Sequence, residues 1–571
     1  MKLNIKDSKI AVPKIDGFNC KIIDEEEYHH LQDLAGNMHP FLLTDNMLCL
    51  LTSKTQGKEK YYFIQPIATN LRVIYCNKNL ITKECNYTVE AEVNNEFIQF
   101  TVSSEVLTVN GLKELLKMGV LFDERYGKDI QRYLIVSAQK AETKLVHTHL
   151  GWVNNTFLSN KVYSNDNVLS EYRGNIDFCP NGSKDTYLDM IKSQVLEHTP
   201  LLFVWLIGFC SIILSYLNKY FDFGCLIFAL NNLSSKGKTT AAMLSTSISS
   251  NPIFDRGLIS NFSGTSNAVL NFVSQSNGHT VVLDEAGTAE ALQSRKLLYQ
   301  ICSGRERKRL NTSGELKETA EFNSAIIVTG EYSIIENSAP NGIRARIFEI
   351  IDDLTVSAEN SNKIKTCVLK NYALLWDEFC YYIFAHKDSL LKDYKDSLKE
   401  LKNDYSGSKA ELTDRILEKL SLIYLTAKYV KEVFELEIDL LKIKEYIYIL
   451  EGRIKNTTNI SRKAFDLVIQ YVTQNGSRFS KGDTDYLYNT DGKLVQKQNK
   501  TQLVILKSVV DSILQKNGIE NSNQIYHKWK EQGISICEKD RPYKRLIITN
   551  ALPRQDCLVF EYKNDFIPMI V

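Results

Sequence analysis

An uncharged apolar run that passes through a Ser- and Lys-rich loop straight into a helix constrains this chain more than any other feature. Residues 224–230 read GCLIFAL, short and apolar enough for a buried strand. NNLSSKGKTT follows, and then AAMLSTSI, which has the composition of a packed helix. Strand, loop and helix in that order are the setting of a phosphate-binding loop. Backbone N–H groups and the helix N-terminus point at phosphate oxygens there. Gly237 lets the backbone come close, Lys238 is placed to reach the β- and γ-phosphates of ATP, and Thr239 offers a hydroxyl to Mg²⁺. The candidate nucleotide-binding residues are therefore Asn232, Ser234, Ser235, Lys236, Gly237, Lys238, Thr239 and Thr240. Asn232 stands where the GxxxxGK[ST] pattern has its first glycine, and Asn tolerates left-handed backbone better than most residues.

About 45 residues further on, NGHTVVLDEAG predicts a buried strand over 280–283 that ends in Asp284-Glu285. A carboxylate at the strand end can hold Mg²⁺, and its neighbour can polarise an attacking water. Asp284 takes the first role and Glu285 the second. Next, ICSGRERKRLNTSGELKETA carries five basic residues against three acidic ones. Its centre reads as a β-hairpin turning at Asn-Thr-Ser-Gly. Arg307, Lys308, Arg309 and Lys317 make it either a solvated hairpin or a contact to DNA phosphates. EFNSAIIVTGE predicts another buried strand, whose Thr329 is either a γ-phosphate sensor or a strand cap. NGIRARIFEI then brings Arg344 and Arg346 just before a last strand. They either stabilise charge on a transferring phosphoryl group or form a surface ion pair.

Around this centre the pattern divides the chain. Residues 1–190 form a strand-rich α+β region, with short β-branched and aromatic runs between about 40 and 110. Residues 191–358 alternate strands and helices as a parallel sheet requires. Residues 359–474 are helical, and TDRILEKLSLIYLTAKYVKEVF has clear helical spacing. Residues 475–500 are polar and turn-rich and suit a linker. Residues 501–571 read as a helix over 502–516, a second over 522–531, and two short strands around Arg541-Pro542. Arg541, Lys544 and Arg545 fall near the tip of that hairpin. A basic wing can grip DNA phosphates while the preceding helix enters a groove, although a protein-binding winged helix has the same pattern.

Composition excludes less than it allows. Lys+Arg 69 against Asp+Glu 68 leaves a net charge of +1, so a nucleic-acid surface must be local. The 12 cysteines include no CxxC pair, which argues for buried thiols in a reducing cytoplasm rather than zinc or disulfides. No signal peptide is apparent. Residues 201–217, LLFVWLIGFCSIILSYL, are uncharged but slightly short of the ~20 residues of a membrane span. They read as a buried core helix, with no membrane partner.

The order SSKGKTT, VVLDEAG, basic hairpin, IIVTGE and RARIFEI resembles the mobile-element family known as domain of unknown function 927. Within it, the chain looks especially like the replication helicases of staphylococcal cassette chromosomes, which are similar to minichromosome-maintenance helicases. The resemblance spans about 40–355, including Gly151-Trp152, and the C-terminal part adds a winged-helix look. It implies an AAA+ P-loop ATPase core with ATP and Mg²⁺ held between the subunits of a homo-oligomer, a hexameric ring. It implies an arginine finger at Arg346, a pore-lining hairpin over 308–317, and, more weakly, a second sensor at Arg415. Single-stranded DNA would run through the pore, with duplex DNA at the winged helix and mobile-element replication proteins as partners. The expected activity is ATP-dependent DNA unwinding. Two alternatives use the same parts: an origin-binding initiator that does not unwind, and a packaging or remodelling motor.

Overall fold

The computed structural model describes residues 18–563, apart from 233–235, 263, 286–290, 306–321, 332–333, 336–340, 408–409, 459, 481–489, 498–499, 518, 520–521 and 549–552. The chain divides into two units, residues 1–174 and 175–571.

The first unit is strand-rich, as its alternating runs predict. Met47–Gln56 and Glu59–Thr69 form a hairpin at the centre of a four-stranded sheet. Leu71–Asn79, Cys85–Val93 and Glu96–Val102 continue as an antiparallel meander in a five-stranded sheet. Helix Gly127–Lys140 covers that sheet with Ile130, Tyr133 and Leu134, all buried against Leu71, Val73 and Val89. Gly151–Val153 opens a small three-stranded sheet. The unit closes at Gly174, short of the expected 190. Helix Lys184–Gln194 belongs to the second unit, where Asn360 donates to the Gln194 carbonyl at 3.1 Å.

The second unit is built on a parallel five-stranded sheet. Its strands are β1 (Leu226–Asn231), β2 (Ile259–Asn261), β3 (Val281–Asp284), β4 (Ala325–Gly330) and β5 (Ile347–Ile350), in spatial order β2-β3-β4-β1-β5. β1 and β4 are buried at every position, which is why they read as continuous apolar runs rather than alternating ones. β1 pairs with β4 and β5, and β4 pairs with β3. This order seats the end of β4 between the ends of β1 and β3.

Helix α1 (Thr199–Leu217) is the uncharged stretch, and 89% of its most apolar window is buried inside the fold. Its small residues have packing roles. A Cβ on Gly208 would lie 2.4 Å from the Ser245 carbonyl oxygen, so glycine lets helix α2 (Lys238–Thr246) approach closely. The hydroxyls of Ser211 and Thr280 lie 2.7 Å apart, and Ser211 also accepts from the Ala325 N–H at 2.9 Å. The helix is thereby tied to the sheet by polar contacts that a lipid-facing helix would not need.

The helical region includes α3 (Ala358–Val368), α4 (Glu411–Phe434) and α5 (Leu440–Thr458). Helix Ile460–Gln474, expected with them, instead packs into the C-terminal core. Ala464, Val468 and Val472 are buried there with Leu503, Trp529 and Phe560. The expected linker over 475–500 is in part a strand: Gly492–Lys497 pairs with Lys500–Leu506. The expected helix over 502–516 begins only at Lys507, because Lys500–Leu506 is the central strand of a five-stranded sheet. Helix Ser522–Glu531 stands as expected. Of the two expected C-terminal strands, the second is Lys544–Leu546, paired with Gln555–Lys563. The first reduces to a bridge between Ser535 and Phe560.

Candidate functional site

The loop after β1 closes on the segment that leaves β5. Gly237 has φ +87°, and a Cβ there would sit 2.6 Å from Thr355. Conformation and space both require glycine at this position. Lys238 opens helix α2, and its ammonium donates to the Asn232 carbonyl. The Asn232 side-chain amide donates to the Asp352 carbonyl at 2.9 Å and to the Asp353 carboxylate at 3.3 Å. Lys236 pairs with the other Asp353 oxygen at 2.7 Å, while its carbonyl accepts from the Leu354 N–H at 2.9 Å. The Lys236 hydrogen bond, helped by Asn232, holds the Asp353 carboxyl below the usual carboxylate range. Thr239 is exposed and Thr240 is buried, the latter 2.6 Å from the Ser361 hydroxyl on α3. Ser234 and Ser235 lie outside the described residues.

Beside the loop, the strand ends bring the acidic pair and Thr329 together. Thr329 is buried, and its hydroxyl donates to the Asp284 carboxylate. The same oxygen accepts from the Glu285 N–H at 3.1 Å. Glu285 is exposed and adopts φ +60°, a left-handed conformation that costs a non-glycine residue ~1–2 kcal/mol. That turn lifts Glu285 off the strand end while Asp284 stays on it.

Arg346 lies elsewhere. Ile347 pairs with Ile227, so Arg346 stands where β5 and β1 begin, whereas the loop follows the end of β1. Its guanidinium donates to the Phe223 carbonyl at 2.7 Å and the Asp222 carbonyl at 2.9 Å, with the Asp222 carboxylate 3.6 Å away. Arg344 is buried rather than at the surface, and burial lowers its pKa. Arg415 pairs with Glu411 one turn away on α4, at 2.8 Å.

The arginine that does reach the loop's support is Arg453 on α5. It grips Asp352 with two hydrogen bonds, at 2.7 and 2.8 Å, and Tyr446 donates to the same carboxylate at 2.6 Å. Burial alone would raise the Asp352 carboxyl, but the bonds from Arg453 and Tyr446 outweigh it and hold it below its ordinary value. Sequence reasoning missed Asp352, Asp353, Tyr446 and Arg453. The one available signal was the acidic pair that follows RIFEI after a single residue, Ile351.

In the C-terminal domain, Lys530 ties helix Ser522–Glu531 to the following loop through the carbonyls of Glu538 and Lys539, at 3.1 and 2.8 Å. Arg541 is exposed but precedes the hairpin rather than sitting at its tip. Lys544 is half-buried opposite Cys557, and Arg545 pairs with Asp556 at 3.3 Å. Arg307, Lys308, Arg309 and Lys317 lie outside the described residues.

Residues 42–321 match the family described as a domain of unknown function, DUF927, and residues 459–565 match the Cch helix turn helix domain. The second match begins where the structure starts the C-terminal core, one residue before helix Ile460–Gln474. Among solved structures, this chain shares its fold with one described as "SCCmec type IV Cch - active helicase". The two are 21% identical with a TM-score of 0.73, and the alignment covers 92% of this chain and 98% of the other. No curated protein matches the chain. The mixed α/β architecture, with a strand-rich N-terminal part and a helical C-terminal region, is that of the Cch structure.

Proposed function

We propose that this protein is an ATP-driven DNA helicase, an AAA+ motor that works as a homo-oligomeric ring in replication of a mobile genetic element. The observation that carries this reading is the meeting of three strand ends. The Gly237 loop after β1, Thr329 ending β4 and Asp284-Glu285 ending β3 stand side by side in the sheet. Ligands of open α/β sheets bind outside the carboxyl ends of the strands. The described residues fit a nucleotide. The backbone at Gly237 has no room for a side chain, the N-terminus of α2 faces the loop, and Lys236 and Lys238 supply positive charge. Thr239 and Asp284 are the oxygen donors suited to Mg²⁺, whose contribution is to neutralise charge on the phosphates. Thr329 holds Asp284 in place while Glu285, projecting from its left-handed turn, orients water.

Arg346 serves a neighbouring subunit. It stands at the opposite end of the sheet from its own loop, so it can complete a site only in another copy. DNA is the partner: single strand at the basic hairpin in a central pore, duplex at the helix-turn-helix domain. The site of work is the cytoplasm. The relative described as an active helicase and the helix-turn-helix match favour unwinding over an initiator or a packaging motor. The test is ATP turnover by purified wild type, Lys238→Ala and Glu285→Gln. Lys238→Ala is expected to lose nucleotide binding, and Glu285→Gln to bind ATP without hydrolysing it. Wild-type turnover by Glu285→Gln would remove the water-orienting role from this residue.

A further inference from the structure

We infer that Asp352, Asn232 and Arg453 form a relay through which the helical region sets the position of the phosphate loop, with Arg453 and Asn232 as positioning residues. The inference rests on the nucleotide-binding reading above and names its control element. It starts from the segment 352–355, which leaves β5 and runs beside the loop. That segment meets the loop in four ways: Asn232 on the Asp352 carbonyl, Asn232 and Lys236 on the Asp353 carboxylate, the Leu354 N–H on the Lys236 carbonyl, and Thr355 against Gly237. These contacts couple the position of the loop to that of the segment.

The segment is in turn held from outside the sheet. Asp352 uses its two ends for different partners. Its backbone carbonyl takes the loop's Asn232, and its carboxylate takes Arg453 and Tyr446 of α5. Tyr446 is buried and packs edge-on against Phe203 of α1, with ring centroids 5.1 Å apart. The α5 end of the relay is thus fixed by core packing. Asp353 repeats the arrangement: its carboxylate takes Lys236, and its carbonyl accepts from His198 at 2.7 Å. A tilt of α5 against the sheet must move Asp352, and with it Asn232, whose side chain spans from loop to segment. A bidentate arginine fork transmits such a movement in direction as well as distance, because it fixes the carboxylate plane.

This geometry also accounts for the departure from the glycine pattern. Asn232 offers an amide with two donors, both of which the segment takes up, and a glycine could not make either bond. Asn232 is here the loop's half of the relay rather than a weakened glycine.

The test uses the full chain with Arg453→Ala, Arg453→Lys, Tyr446→Phe, Asn232→Gly and the double variant Asn232→Gly/Arg453→Ala. Two readouts are taken: amide hydrogen exchange over residues 231–240 without nucleotide, and KM and kcat for ATP. Arg453→Ala and Asn232→Gly are each expected to speed loop exchange and raise KM about tenfold, the size of one lost charge-assisted hydrogen bond. Tyr446→Phe should give a smaller shift in the same direction, and Arg453→Lys should recover part of the loss. The double variant should be no worse than the worse single one, because both act through Asp352. Unchanged loop exchange and KM in folded Tyr446→Phe and Asn232→Gly would overturn the relay, as would strictly additive effects. If wild type itself fails to turn over ATP, the nucleotide reading falls, while loop exchange still decides whether the relay exists.

Discussion

Thr329 and Asp284, 45 residues apart in sequence, are joined side chain to side chain across two neighbouring parallel strands. The same Thr329 oxygen receives the Glu285 N–H at 3.1 Å, so one hydroxyl orients both members of the acidic pair. Thr329→Val keeps the shape and removes both bonds. ATP binding should persist while kcat falls at least about tenfold, in line with the loss of hydrogen bonds to a charged group. Equal kcat for Thr329→Val and wild type, measured under saturating ATP, would reduce Thr329 to a strand cap.

Glu285 carries a separable conformational cost. In Glu285→Gly the φ of +60° becomes comfortable. Glycine also frees the unfolded chain, which offsets part of the gain. The expected net effect is an unchanged or slightly higher Tm together with loss of ATP hydrolysis. A Tm several degrees lower would show that the Glu285 side chain supports the fold.

Lys419 makes stability depend on pH. Burial first, then the nearby Arg346 charge, pulls its ammonium from 10.5 down to about 8. Between those values the unfolded chain binds more protons than the folded one, so stability rises as pH climbs from 8 to 10.5. At pH 7 the folded protein bears the full cost of the buried charge. Lys419→Met should therefore stabilise it at pH 7 by on the order of 2 kcal/mol and flatten the Tm profile above pH 8. A lower Tm at pH 7 would mean that the ammonium's bond to the Arg415 carbonyl outweighs its burial.

Arg346 should act across a subunit boundary. Alone, Arg346→Ala is expected to lose about a thousandfold in ATP turnover, the lower range for a residue of this kind. Mixed with Lys238→Ala subunits, it should recover part of the activity, since some interfaces regain both groups. No recovery in assemblies shown to exchange subunits would assign Arg346 to holding Asp222 and Phe223.

The sheet and the acidic pair were legible in the sequence because β1, β3 and β4 are buried and apolar up to their ends, where Asn231, Asp284 and Thr329 break the runs. The same property misled at Lys500–Leu506. KTQLVIL runs without a break into KSVVDSILQK, and periodicity cannot separate a short buried strand from a helix. Pairing with Gln555–Lys563 decides it, and that partner lies more than fifty residues away. Gly492–Lys497 looked like linker because GKLVQK is mostly polar; a strand between two others needs backbone partners more than apolar side chains. Arg453 was invisible for a different reason: it meets Asp352 across 101 residues, in a helix with no motif.

The most direct measurement is strand displacement from a forked DNA duplex by purified wild type, Lys238→Ala and the hairpin variant Lys308→Ala/Arg309→Ala. Wild type is predicted to release the strand with ATP and Mg²⁺ but not with a non-hydrolysable ATP analogue, and Lys238→Ala not at all. The hairpin variant should keep near-normal basal ATPase while losing unwinding. Wild type that binds the fork and hydrolyses ATP yet releases no strand would contradict the helicase account and leave a DNA-bound switch in its place.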